Sequence, residues 1–179
     1  MRSISRAAAA AALALAIGAA PVFAGNPAAK PGDATIVDIV LVNDGEFDVL
    51  QAAVIDAGLA GALASTDDQY TVFAPTDWAF VSTFRTILGN DSLTESDVIT
   101  FIQSGGVDTA LGDGALADIL LFHVTNGRRT SKSVVTAPQY RMLNGDRLTR
   151  AELFDAGIAA VDISASNGVI HVINSVLIP

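Results

Sequence analysis

The chain has 179 residues, of which 51% are hydrophobic and 16% charged, with no cysteine and a formal net charge of −9 at pH 7. Without cysteine there is no disulfide, no thiolate nucleophile and no lipid-bearing thiol, so apolar packing must stabilise the fold. The negative charge disfavours nucleic acid and anionic membranes as partners, because both attract basic patches, and leaves proteins, polysaccharides and cations open.

Residues 1–24 are predicted to be a secretory signal peptide. Arg2 and Arg6 form a basic region, residues 7–20 form an apolar core, and Val22-Phe23-Ala24 ends in a small residue suited to cleavage. Cleavage near Ala24 predicts a secreted chain, periplasmic or extracellular, with 8 basic and 19 acidic residues. The apolar core is shorter than the about 20 residues that cross a bilayer, so we expect no membrane span.

The N-terminal part of the remaining chain is predicted to be helical. Residues 25–34 are rich in Pro and Gly and predict a flexible lead. Apolar residues then recur at helical spacing in three short segments, ending with a turn at Leu59 and Leu63. We expect a cap of α-helices before residue 65.

Residues 70–80, YTVFAPTDWAF, form the segment around which the chain is organised. The aromatic and β-branched residues 70–73 predict a buried strand, which Pro75 ends. Thr76 can cap a helix that is expected to bury Trp78, Ala79 and Phe80 and to run toward Leu88. Gly89-Asn90 is the predicted end of that helix.

Two further helices are predicted before the pattern becomes extended. Thr94 and Asp97 match a capping box, and another helix begins near Gly114. The pattern turns extended at residues 122–124.

The remaining residues are predicted to be rich in β-structure. Val134-Val135 is expected to be extended, and residues 140–143 and 147–153 flank a hairpin turn at 144–146. Residues 158–164 are expected to pair with 169–174, across a turn in which Asn167 and Gly168 adopt positive φ. Helices first and a sheet afterwards predict an α+β fold.

The sequence offers little for catalysis or metal binding. No nucleophile motif or phosphate-binding loop is present, so we expect neither an enzyme nor a cofactor. His123 and His171 lie in apolar, strand-like runs, which predicts buried imidazoles with hydrogen bonds at both nitrogens rather than metal ligands. The acidic loops Asp67-Asp68 and Asn90-Asp91 with Glu95 could hold Ca²⁺ loosely, but they lack the spacing of a dedicated site, and solvated loops are predicted.

Three segments, residues 70–80, 119–128 and 167–179, resemble the three sequence blocks of the fasciclin (FAS1) domain, and the resemblance covers residues 35–179. It implies a FAS1 fold with N-terminal helices packed on a twisted β-wedge. It also implies a secreted, non-enzymatic adhesion or recognition module that binds a protein or polysaccharide at the cell surface or in extracellular matrix, where oligomerisation would add avidity. The alternative is a carrier of an apolar small molecule, carotenoid-like or lipid-like.

The resemblance also carries residues. Asp162-Ile163 occupies the place of an Asp-Ile pair implicated in integrin recognition, although simple strand alternation would also produce it. Phe122-His123 occupies a second interaction motif, with Phe where the family usually has Tyr. These four residues are the predicted partner-binding site. The residues expected to define the fold are Phe73, Pro75, Thr76, Phe80, His171 and Pro179.

Overall fold

The structure is a computed structural model that describes residues 33–42 and 45–179. The predicted signal peptide and most of the predicted lead lie outside these residues. The described residues form nine helices: α1 (Ile36–Val40), α2 (Asp48–Asp56), α3 (Ala60–Ala64), α4 (Asp77–Leu88), α5 (Glu95–Gln103), α6 (Gly106–Leu111), α7 (Ala115–Phe122), α8 (Ser131–Thr136) and α9 (Arg150–Asp155). They also form six strands: β1 (Tyr70–Pro75), β2 (Val124–Asn126), β3 (Gln139–Arg141), β4 (Arg147–Thr149), β5 (Ile158–Ala165) and β6 (Gly168–Ile173).

The main sheet has four strands in the order β2-β1-β6-β5, so β2 and β5 are its edges. The central strands β1 and β6 are parallel, while the two outer pairs are antiparallel. Strands β3 and β4 form a separate hairpin. All six residues of β6 are buried, as predicted for a strand covered on both faces.

The two faces of the sheet carry different hydrophobic clusters. Val72 and Ala74 of β1 belong to the first cluster, which also takes in helices α1, α2, α4 and α5. Phe73, between them, points to the opposite face and joins the second cluster with side chains from α8 and the β3–β4 hairpin. The predicted α+β arrangement is therefore present, with helical packing on both sides of the sheet.

The junction between β1 and α4 forms as predicted, with one exception. The Thr76 hydroxyl accepts a hydrogen bond from the Ala79 N–H at 3.2 Å, and α4 ends at Gly89, whose φ is 62°. Trp78, however, is 63% exposed, so the prediction that it is buried is wrong. Its ring instead lies 5.7 Å from the guanidinium carbon of Arg85, two helical turns further on.

Two predicted extended segments are helical. Val134 and Val135 lie in α8, and the strand expected over residues 147–153 ends at Thr149. Thr149 begins α9 through a capping box with Glu152, a Thr-x-x-Glu pattern that competes with the β-propensity of the neighbouring residues. His123 likewise ends helix α7 and is not part of a strand.

The turn between β5 and β6 differs from the prediction in its backbone. Neither Asn167 nor Gly168 has a positive φ. Gly168 is needed for close approach, because a Cβ atom there would lie 2.2 Å from the carbonyl oxygen of Tyr70. The buried Asn167 side chain accepts from the Ile36 N–H at 2.9 Å and donates to the carbonyls of Leu63 and Ser65 at 2.7 and 2.8 Å. This one amide thus joins the sheet to α1 and α3.

Candidate functional site

The edge strand β5 is interrupted opposite β6. Its pairing register shifts between Ile158 and Ala160 and again between Ala160 and Ile163. Asp162 lies within this bulge with a φ of 60°, and no other described non-glycine residue has a positive φ. Functional sites often store such local strain, and bulges re-aim side chains at sheet edges.

The Asp162 side chain is held by the start of helix α8. Its carboxylate accepts hydrogen bonds from the Ser131 N–H at 2.8 Å and from the Ser131 hydroxyl at 2.5 Å. These bonds, the one from the hydroxyl foremost, lower the pKa of Asp162. Because Thr130, the N-cap residue of α8, makes no side-chain capping bond, Asp162 supplies the cap from another element.

His171 connects the bulge to the interior. The Asp162 N–H donates to Nδ1 of His171 at 3.3 Å, and Nε2 donates to the Arg129 carbonyl at 2.8 Å. The imidazole is buried and stacks on Phe73, with ring centroids 5.8 Å apart. Both ring nitrogens are thus hydrogen-bonded, as predicted, and the ring fixes the backbone of the bulge.

The apolar side chain that the bulge exposes is Val161. It is 46% exposed and lies beside the exposed Asp162. Ile163 is only partly accessible and packs against the first hydrophobic cluster. The surface at this edge therefore combines Val161 with Asp162, whereas the sequence pointed to Ile163 as the apolar partner.

Phe122 and His123 lie inside the protein, 5% and 2% exposed. Nδ1 of His123 donates to the Ile119 carbonyl at 2.7 Å, and Nε2 accepts from the Leu177 N–H at 2.9 Å. Burial lowers the pKa of His123 to about 4, although the bond to Ile119 opposes the shift. The structure does not bring this pair to the surface that carries Asp162, and neither side chain is available for a direct contact.

The residues expected to define the fold lie mostly in its interior. Those that are buried are Phe73, Pro75, Thr76, Phe80 and His171, while Pro179 is exposed.

A group of three carboxylates escaped the sequence analysis. Asp48, Asp77 and Glu95 place one oxygen each within 4.8 Å of one another. Asp77 also caps α2, accepting from the N–H groups of Asp48 and Val49 at 3.1 and 2.9 Å. Burial, and then the charges of Asp77 and Asp48, raise the pKa of Glu95. Carboxylate oxygens suit hard divalent cations, so these residues could hold one, but their separation in sequence leaves no motif.

An apolar cleft of about 290 Å³ lies between α4 and α5. Its walls include Phe84, Leu88, Leu93, Val98 and Phe101, and Phe84 and Phe101 meet edge to face with centroids 5.8 Å apart. The cleft is the feature that bears on carriage of an apolar molecule. Among the described residues, no helix combines the length and apolar character that a membrane crossing requires.

Comparison with known proteins decides the family. A family model described as "Fasciclin domain" matches residues 45–179. The chain belongs to the fasciclin domain family. A fasciclin domain pair from the insect cell adhesion molecule fasciclin I matches with a TM-score of 0.54 at 16% identity, over 83% of this chain and 52% of that one. The predicted FAS1 fold is therefore confirmed.

Curated relatives of this fasciclin domain occur in bacteria and mammals. Protein sll1483 of Synechocystis sp. is 32% identical over 86% of this chain and 78% of its own length. Transforming growth factor-beta-induced protein ig-h3 of Sus scrofa is 33% identical over 83% of this chain, and human periostin 27% identical over 91%. The chain spans only about a fifth of each of these two mammalian proteins.

Proposed function

We propose that this fasciclin domain is a secreted, non-enzymatic adhesion or recognition module, and that its contact surface is the bulged edge of the sheet at Val161 and Asp162. Support for adhesion comes from the solved fasciclin pair, which belongs to a cell adhesion molecule. The partner is a protein or polysaccharide of the cell surface or matrix. Secretion rests on the basic and apolar pattern of residues 1–24.

The observation that carries the proposal is the fixed geometry of this edge. A strained, non-glycine φ at Asp162 is maintained by Ser131 on one side and His171 on the other. This support pre-organises an exposed apolar side chain beside a carboxylate, which reduces the entropy cost of binding. The carboxylate retains lone pairs for an incoming cation or guanidinium, while Val161 offers a small apolar anchor.

The test is saturable binding of the labelled protein to an envelope preparation of the producing cells and to matrix-coated surfaces. Val161→Glu should weaken binding at least tenfold, because it replaces the anchor by a charge. Leu111→Glu is the matched control, since Leu111 is also 46% exposed but lies in α6, far along the chain from the bulge. If Val161→Glu and Leu111→Glu bind equally well, the contact surface does not lie at this edge.

A second candidate function is carriage of an apolar small molecule, and the cleft between α4 and α5 favours it. At about 290 Å³ the cleft lies at the lower end of the range of ligand pockets, so it fits a ring or short acyl group better than a whole polyene. Organic extraction of the purified protein, followed by mass spectrometry, should recover such a molecule in stoichiometric amount. Narrowing the cleft with Ser104→Phe should abolish its recovery.

A further inference from the structure

Positive charge is concentrated in one segment of this acidic chain. Residues 128–150 contain six of the ten Lys and Arg residues and a single acidic residue, Asp146. Residues 33–127 contain fifteen of the nineteen Asp and Glu residues and one cation, Arg85. The net charge of −9 is therefore distributed very unevenly along the chain.

The fold keeps these two populations apart. Residues 128–150 comprise the loop after β2, helix α8 and the β3–β4 hairpin, which we call the basic lobe. The buried side chains of the lobe, among them Val134, Tyr140 and Leu148, pack into the second hydrophobic cluster. The acidic helices α2, α4 and α5 pack into the first cluster, across the sheet. The basic lobe and the acidic helices α2, α4 and α5 thus pack on opposite faces of the main sheet, while Glu152 and Asp155 of α9 lie on the side of the lobe.

Two arginines of the basic lobe lie directly opposite each other on neighbouring strands. Arg141 and Arg147 are exposed, directly paired residues of the β3–β4 hairpin. Like charges in such a pair destabilise a hairpin, and an anion bound between two guanidiniums would reverse that effect.

Of the other arginines of the basic lobe, Arg128 and Arg150 use carbonyl and hydroxyl partners and Arg129 uses an aromatic ring. Arg128 donates to the Ala165 carbonyl and the Ser164 hydroxyl, and Arg150 donates to the Val135 carbonyl at 3.1 Å. Arg129 lies 5.7 Å from the Tyr140 ring. These contacts hold the side chains in place, and none of them is with a carboxylate of residues 33–42 or 45–179.

The surface of the basic lobe suits a hydrated ligand. Its large exposed apolar side chain is Val135, whereas its one aromatic residue, Tyr140, is 2% exposed. It therefore lacks the aromatic platform on which nucleic-acid bases stack and the aromatic anchor typical of protein interfaces. Hydroxyl groups accompany the cations instead, at Thr130, Ser131, Ser133, Thr136 and Thr149.

We propose that the basic lobe binds the carboxylate or sulfate groups of an acidic polysaccharide, with Arg141 and Arg147 at its centre. This inference rests on the proposed recognition function and names the class of its partner. The acidic remainder of the protein does not prevent binding at physiological salt, because charges further away than the screening length of about 8 Å contribute little. Asp162 and Ser131 lie where the lobe meets the bulged edge. The acidic groups of one polymer can therefore bind the arginines while a sugar hydroxyl donates to the Asp162 carboxylate.

The experiment measures binding of the full chain to immobilised polygalacturonate and dextran sulfate, with neutral dextran and a DNA duplex as comparisons and EDTA present throughout. Affinity for both acidic polymers should fall steeply between about 50 and 200 mM salt. The double variant Arg141→Gln with Arg147→Gln should bind at least tenfold more weakly, and its salt slope should be smaller by about one to two. The variant should also unfold no more readily than the parent, because a repulsive pair is removed.

The matched control is Ser82→Glu with Ser96→Glu, which changes the net charge by the same amount at exposed positions of α4 and α5. It should retain nearly full affinity. Three results would overturn the inference. They are an equal loss of affinity in both double variants, tighter binding to DNA than to the acidic polysaccharides, and no binding to either acidic polymer. If the protein binds the cell envelope but neither acidic polymer, the basic lobe is not the polysaccharide site and the proposed recognition function stands. If it binds the acidic polymers but not the envelope, the lobe is a polyanion site and the proposed recognition function fails.

Discussion

Asp162 on the edge strand and Ser131 at the start of helix α8 are joined by two hydrogen bonds, although they are 31 positions apart in the chain. The same bonds cap the helix and support a left-handed backbone at Asp162. The side chain that the resemblance marks for recognition is therefore also a structural residue. Any experiment on recognition must separate these two roles.

Asp162→Ala should lower the free energy of unfolding by about 2 kcal/mol. About half comes from the lost helix cap and the rest from a positive φ, which alanine tolerates poorly. Asp162→Asn should cost less than about 1 kcal/mol. Its amide oxygen can still accept from the Ser131 N–H, its amide nitrogen can donate to the Ser131 hydroxyl, and asparagine tolerates this backbone. Urea unfolding of the three proteins checks the ranking, and equal losses would show that the bonds to Ser131 do not matter.

The stabilisation from the Asp162 carboxylate should depend on pH. Its pKa is lower in the folded state than in the unfolded state, so the stabilising effect is full above the unfolded value of about 3.9. It is lost as the pH falls through the folded value. The stability difference between the wild type and Asp162→Asn should therefore be constant from pH 7 to 5 and shrink below pH 4, and a difference that grows there would contradict the assignment.

His123 should make the fold sensitive to mild acid. Its folded pKa of about 4 lies below the ordinary value of 6.5, so the unfolded chain binds an extra proton between these limits. Stability should fall with decreasing pH there, by up to about 1.4 kcal/mol per pH unit from this residue. His123→Gln should be less stable at pH 7 by about 1–3 kcal/mol, because it disturbs buried bonds to Ile119 and Leu177.

The pH dependence is the diagnostic part of the His123 experiment. Denaturant unfolding is measured at several pH values from 7 to 4.5. The free energy of unfolding should fall less steeply with decreasing pH for His123→Gln than for the wild type. His171→Gln serves as the comparison for general loss of a buried imidazole. Parallel curves for the wild type and His123→Gln would show that His123 titrates normally in the folded protein.

Gly168→Ala should destabilise the protein by about 3 kcal/mol or more. The new methyl group would meet the Tyr70 carbonyl oxygen at 2.2 Å, where the paired central strands β1 and β6 begin, and any shift would disturb their pairing. Gly61→Ala is the opposite case, because Gly61 lies in α3 with nothing within 4 Å of an added Cβ. Gly61→Ala should stabilise the protein by about 0.5–1 kcal/mol. Thermal unfolding of both variants tests whether Gly168→Ala lowers the melting temperature and Gly61→Ala raises it.

Asn167→Asp should destabilise by about 3 kcal/mol. It replaces the amide nitrogen that donates to Leu63 and Ser65 by an oxygen, and it buries a charge. Asn174→Asp is the control, since Asn174 is exposed just after the end of β6 and should change stability by less than about 0.5 kcal/mol. Similar effects of the two changes would mean that the Asn167 side chain does not join the sheet to α1 and α3.

The sequence predicted those parts of the fold that short-range rules determine. The β1–α4 junction at Thr76, the capping box at Thr94 and the end of α4 at Gly89 all form as expected. The pairing of β5 with β6 was also predictable from two apolar runs separated by a turn. In each case the residues that determine the structure lie in one short segment of the chain, from a single helix cap to a hairpin that spans residues 158–173.

The remaining features depend on contacts between distant segments. Val134 is helical because α8 covers the second hydrophobic cluster, which outweighs its β-propensity. The bulge at Asp162 depends on Ser131 and His171, neither of which is near it in sequence. The carboxylate group at Asp48, Asp77 and Glu95 is likewise assembled from three helices, so no spacing rule could reveal it. The capping boxes Thr35-x-x-Asp38 and Thr149-x-x-Glu152 are, by contrast, local patterns that identify the starts of α1 and α9 from the sequence.

The most direct test of the proposed contact surface is amide hydrogen exchange of the full chain, alone and bound to the envelope preparation. We expect slower exchange on binding at residues 160–163 and in the first turn of α8, with α6 unchanged as an internal reference. Protection that appears only on the acidic helices α2, α4 and α5, with the bulged edge unchanged, would contradict it.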